Sequence, residues 1–189
     1  MTELNIKKHP SKKERTKNKI MHIAKGLFEE YGNENVNFQM IADKADMCRT
    51  TVFNHFGSME DLLVALTAQE IEDVWEIVDS KGLKGKDLIY GLFDKFLEDT
   101  CCYPYFAGRI TARVVLSGTE ENPVKYLEKI IMEALEYEGY DDPLTGAMLI
   151  EGVYFGLTAH YYVNGKIFDP ETLKAEAHEQ IGRILGGKK

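Results

Sequence analysis

The sequence predicts an all-α fold of about nine helices, a compact three-helix unit followed by a larger helical one. Three observations carry this. Apolar residues recur at three- and four-residue intervals almost throughout, no sustained alternation marks a strand, and caps, glycines and prolines punctuate the chain at helix-length intervals.

Ser11 with Glu14 three residues on forms a capping box that opens the first helix. Ile20, Ile23, Ala24, Leu27, Phe28 and Tyr31 then follow at helical spacing, and Gly32 ends the helix because glycine takes the left-handed C′ conformation cheaply. Asn37 caps a second helix that buries Phe38, Ile41, Ala42 and Ala45. A short turn at Asp46-Met47-Cys48 leads to a third, from about Arg49 to Phe56. Ser58, with Asp61 at the third position, caps a long fourth helix carrying Leu62, Leu63, Leu66, Ile71, Val74, Trp75 and Val78 mostly on one side.

Gly82 and Gly85 break the chain, and a fifth helix over about 86–100 stops before Pro104. The sixth is expected over 105–116, the seventh over 123–138 and the eighth over 144–163, with Gly139 and Pro143 separating the last two. Pro170 suits the first turn of a ninth helix that ends at Gly186-Gly187. The one boundary is placed near Gly57-Ser58: a flexible basic arm over 1–10, one domain over 11–57, another over 58–189.

Composition excludes several classes. At 189 residues, with 44% hydrophobic and 29% charged content, the chain can bury a core and reads as globular. Its most apolar stretch, Ala147–Ala159, is interrupted by Glu151, so no membrane span is expected, and without an apolar leader the expected location is the cytoplasm. Cys48, Cys101 and Cys102 make a poor disulfide framework and suit a reducing compartment. Packing is the better reading of Cys101-Cys102 than oxidant or metal sensing. No nucleophile–base set, glycine-rich phosphate loop or HExxH site appears, so no enzyme, cofactor or metal is expected.

Charge is segregated. Residues 1–25 hold eight Lys/Arg against two Glu, whereas residues 61–189 hold thirteen against twenty-three acids. One end is suited to meet phosphates and the other is not.

Residues 37–57 meet that end. Ala42 and Ala45 permit close helix packing, and Val52 and Phe56 anchor the third helix inside. This leaves Arg49, Thr50, Thr51, Asn54 and His55 outward or at the helix start, where Arg can fork onto guanine, Asn onto adenine, and Thr can touch phosphate or a thymine methyl. Lys12, Lys13, Arg15, Lys17 and Lys19, at or near the start of the first helix, are candidates for phosphate contacts that position without reading sequence. The arrangement is that of a homeodomain-like helix-turn-helix.

The stretch Gly32 to Leu63 resembles the DNA-binding half of the tetracycline-repressor (TetR/AcrR) family of bacterial regulators, through Ile41-Ala42, Ala45, the block Thr51 to Phe56, Ser58 and Asp61-Leu62-Leu63. The likeness covers about residues 11–65. Asp46 stands where that family usually has glycine, Cys48 replaces the usual Ser/Thr cap, Phe53 a frequent tyrosine, and Met59 a common lysine. The resemblance implies Asn37 and Phe53 as further DNA-contact positions, double-stranded operator DNA as partner, and an effector-binding and dimerisation domain from the fourth helix onward.

For that domain the candidate pocket residues are Trp75, Phe93, Phe96, Phe106, Arg109 and Ile131. Core filling competes with this for each apolar residue, and an ion pair to an acid competes for Arg109, whose alternative role is to anchor an acidic amphipathic ligand. Ala147, Ile150, Tyr154, Leu157 and Tyr161 form a 3-4-3-4 seam, and Leu173, Ala177, Ile181 and Ile184 a second stripe. The resemblance implies that these helices pair with those of a second copy; internal packing is the competing reading. The expected function is a repressor released from its operator by a small molecule of unknown identity. The alternative is a DNA-binding regulator switched by a protein partner or by abundance.

Overall fold

The computed structural model describes residues 11–32, 34–105, 107 and 122–186. Among them are eight helices and no strand: α1 (Lys12–Tyr31), α2 (Phe38–Ala45), α3 (Arg49–Phe56), α4 (Met59–Asp79), α5 (Gly85–Cys102), α6 (Val124–Tyr137), α7 (Pro143–Val163) and α8 (Pro170–Gly186). The helix expected over 105–116 and the arm over 1–10 fall on residues that lie almost wholly outside this set. The chain divides into two units, one ending at Leu62 and one starting at Leu63.

In the first unit the local signals act as read. Ser11 N donates to Glu14 Oε2 at 2.6 Å and Glu14 N donates to Ser11 Oγ at 3.2 Å, closing the capping box of α1. Asn37 Oδ1 accepts from the amides of Gln39 and Met40, at 2.9 and 3.1 Å, and opens α2. Helix α1 packs on α2 and α2 on α3. Ile20, Ala24, Phe28, Ile41, Ala42, Ala45 and Val52 have no exposed surface, and Phe56 retains 5%. Each large apolar side chain so buried contributes roughly 1.5–3 kcal/mol.

The second unit is held by Val74, Val78, Ile89, Leu92, Phe93, Ile131, Leu135, Ala147, Ile150 and Ile181, drawn from α4 to α8. A smaller cluster of Leu97, Tyr161, Leu173 and Ala177 joins α5, α7 and α8. Helix α7 lies close on α6 at Gly146, where a Cβ would come within 2.7 Å of Leu135 Cδ1. Polar bridges fasten α5 to α8: His178 Nε2 meets Asp94 Oδ1 at 2.7 Å, and Lys174 Nζ donates to Glu98 Oε1 at 2.6 Å.

Within the single chain these contacts cover most of the expected seam. Ile150, Leu173, Ala177 and Ile181 have no exposed surface and Tyr161 keeps only 2%, all satisfied within the one chain. Leu157 packs half-buried on the smaller cluster, and Tyr154 lies against both clusters. A side chain already covered by its own protomer has no face left for a second copy. Of that set, Ile184 borders an open surface groove, with Met148, Leu149, Gly152, Val153, Gln180 and Arg183. The 3-4 spacing located the packed side of α7; because the helix is apolar nearly all round, it did not distinguish that side from the open one.

Candidate nucleic-acid interface and ligand cleft

The turn between α2 and α3 is built on a residue that tolerates it. Asp46 has φ 54° and ψ 54°, the left-handed region, where a short polar side chain is accepted better than most. Its amide donates to the carbonyl of Asp43 at 3.3 Å, and Met47 N donates to that of Ala42 at 3.0 Å, closing the end of α2. Cys48 occupies the cap of α3 and makes no side-chain capping bond. Its exposed Sγ lies 3.0 Å from Thr51 Oγ1, and this hydrogen bond holds the thiol below its ordinary pKa.

Val52 and Phe56 root α3 in the unit, while Arg49, Thr50, Phe53 and Asn54 are exposed and Thr51 and His55 half-buried. The Phe53 ring stands edge-on to Phe38 at 6.3 Å, half its surface still open. Lys12, Lys13, Arg15 and Lys17 are exposed along the first turns of α1. Two sequence candidates have other work. Asn37 spends its carbonyl oxygen on the α2 cap, and Lys19 Nζ donates to the Ala45 carbonyl at 2.6 Å instead of standing free for a phosphate.

The second unit contains a cleft lined by Thr67, Glu70 and Ile71 of α4, Phe93, Phe96, Asp99 and Thr100 of α5, Ala107, Val124 and Leu127, and Glu151, Tyr154 and Phe155 of α7. Phe93 and Phe96 were among the sequence candidates. Trp75 and Ile131 do not line it; Ile131 is fully buried in the core and Trp75 packs against it. Phe106 and Arg109 lie outside the described residues.

The polar residues of the cleft were missed by the sequence reading. Thr67 and Glu70, three apart on the inner side of α4, were the available signal: polar residues interrupting an apolar stripe. Thr100 Oγ1 and Tyr154 Oη are hydrogen-bonded at 2.8 Å, and burial pushes the Tyr154 phenol up to about 12. Lys95 Nζ donates to Asp99 at 2.7 Å. Glu151 has no such donor among the described residues: its Oε1 is buried without a hydrogen-bond partner. Burial, followed by the charge of Glu128, raises its carboxyl to about 7.

A buried three-helix core presenting a short, polar, outward second helix of the pair is a helix-turn-helix unit. The family model of bacterial regulatory proteins of the tetR family matches residues 20–66. That likeness is carried by 47 residues of the chain, all of α2 and α3 and the adjoining parts of α1 and α4. Over 68 residues it is 28% identical to the HTH-type transcriptional repressor AcnR of Corynebacterium glutamicum, a match spanning 36% of this chain and 36% of that relative.

Similar solved structures extend the likeness of fold over both units. A TetR transcriptional regulator from Legionella pneumophila is 25% identical with a TM-score of 0.64, covering 95% of this chain and 99% of that one. The regulator FadR from Bacillus subtilis, solved in complex with stearoyl-CoA, has a TM-score of 0.74 at 17% identity, covering 91% and 99%. No described helix is long and apolar enough to cross a membrane.

Proposed function

We propose that this chain is a sequence-specific DNA-binding transcription regulator of the cytoplasm, a repressor that works as a homodimer and leaves its operator when a small molecule occupies the cleft of the second unit. The observation that carries the reading is α3. Val52 and Phe56 fix its orientation, and Arg49, Thr50 and Asn54 project from it as donors and acceptors of the kind that read base edges in the major groove. Lys12, Lys13, Arg15 and Lys17 supply backbone contacts.

Dimerisation is assigned to the open side of α7 instead of its packed side. Leu144, Met148 and Leu149 are each at least half exposed, and nothing lies within 4 Å of where a Cβ would stand at Gly152 or Gly156. A second copy of the same helix can approach closely there and cover the apolar side chains. The FadR neighbour of Bacillus subtilis holds stearoyl-CoA in its crystals, which supports a ligand site in this fold.

Footprinting on DNA that flanks the chain's own gene tests the reading. The expected result is protection of a near-palindromic site whose half-sites lie on one face, about 34–36 Å apart. No protected site at any concentration that leaves random DNA unbound would refute it.

A further inference from the structure

The lining of the cleft has a consistent chemistry. Its described residues include three carboxylates, Glu70, Asp99 and Glu151, and no Lys, Arg or His. Its apolar surface is shared between aromatic residues, Phe93, Phe96, Tyr154 and Phe155, and aliphatic ones, Ile71, Ala107, Val124 and Leu127. Of the three acids, Asp99 is bonded to Lys95. Glu151 holds one carboxylate oxygen in the interior with no hydrogen-bond partner among the described residues. A buried acceptor without a partner is costly, and in a native structure it calls for something to meet it.

We propose that the cleft accepts a slim amphipathic amine, its ammonium on the Glu151 carboxylate and its apolar body between Phe93, Phe96 and Phe155. This rests on the reading of the cleft as the effector site and names the class of ligand. A protonated primary amine brings several N–H donors together with the opposite charge, so it satisfies Oε1 in both respects. Aromatic faces nearby attract the same cation. An acid of equal length would set a fourth negative group beside the other three, and a neutral alcohol would leave the charge unpaired. The cavity is narrow, about 50 Å³, which favours an alkyl chain or a single ring seated by rotation of the half-buried Phe96 and Phe155.

The test is calorimetric titration of the full chain at pH 8 with n-octylamine, octanoate and 1-octanol. The expected result is that octylamine binds at least ~10-fold tighter than either of the others, and that Glu151→Gln removes the preference by weakening the amine. Octanoate binding as tightly as the amine, or no binding of the amine, overturns the proposal. The ligand series on the unsubstituted chain decides the matter even where the variant fails to fold.

Anisotropy of a labelled operator fragment separates this inference from the functional reading beneath it. If octanoate or octanol, and not the amine, releases the DNA, the amine proposal fails and the effector reading stands. If the operator is never bound specifically, the regulator reading itself fails.

Discussion

Lys19 Nζ donates to the carbonyl of Ala45 at 2.6 Å, tying the middle of α1 to the last turn of α2. The acceptor belongs to a helix C-terminus, where carbonyls lack intrahelical partners and the backbone dipole attracts a cation. The bond therefore fixes α2 immediately before the tight turn that sets α3. We expect Lys19→Met to cost about 1 kcal/mol in urea unfolding and to weaken operator binding more than that, because α3 loses its fixed entry. Unchanged stability with reduced affinity on all DNA would instead mark Lys19 as a phosphate contact.

The turn itself rests on Asp46 at positive φ. Asp46→Asn and Asp46→Gly should stay within ~0.5 kcal/mol of the parent, whereas Asp46→Val should lose about 1–2 kcal/mol, since β-branched residues resist this region. Equal losses for all three would show that the side chain, not the backbone, matters.

At the neighbouring cap of α3, Cys48 makes no capping bond. Serine would supply one, and Cys48→Ser should raise Tm by roughly 2–4 °C. A scanning calorimeter that finds no rise would show the cap geometry to be unsuitable.

The reach of the sequence can be judged from two stretches. In residues 11–57 the helices and their core were legible, because a capping box, an Asn cap and 3.6-residue spacing are local signals, and a three-helix core is small enough for them to determine it. On α7 the signals ran out. Its apolar spacing identified Ile150 and Tyr161 as packed residues, but which helix they pack against is a property of the tertiary fold. Glu151 is the clearest case. In sequence it is only a charge that interrupts an apolar run; in the fold its carboxylate is turned into a cleft that Glu70 and Asp99, eighty-one and fifty-two positions earlier, also line. No local pattern reports such a meeting.

The open side of α7 supplies a direct test of assembly. Leu149 is 50% exposed in the single chain. Leu149→Glu places a like charge at the same patch on each copy, so sedimentation should show a dimer in the parent and a monomer in the variant, with the helical circular dichroism preserved. A variant that stays dimeric would move the interface elsewhere. The same substitution made at Ile150, which is fully buried, should unfold the unit instead.

Glu151 also gives the fold a pH signature. Its native carboxyl titrates at about 7 against an ordinary value of 4.5, with Glu128 adding to the effect of burial and Glu70 and Asp99 lining the same cleft. The native state therefore holds this proton more tightly than the unfolded state. The associated stability is fully present below pH 4.5 and is lost as pH rises through 7. Glu151→Gln removes the loss. After allowance for solvent screening, the gain is about 1 kcal/mol, or roughly 2–4 °C in Tm at pH 8, vanishing below pH 5. A gap in Tm that is equal at both pH values would mean that ionisation plays no part.

The most direct test of base reading by α3 is the affinity of Asn54→Ala for operator and for random DNA, each measured across a range of salt concentrations. We expect operator affinity to fall by about 1–3 kcal/mol, with random-sequence affinity and the salt slope unchanged, because Asn54 is exposed on α3 and carries no charge. Equal losses on both DNAs, or none on the operator, would contradict the assignment of α3 as the element that reads sequence.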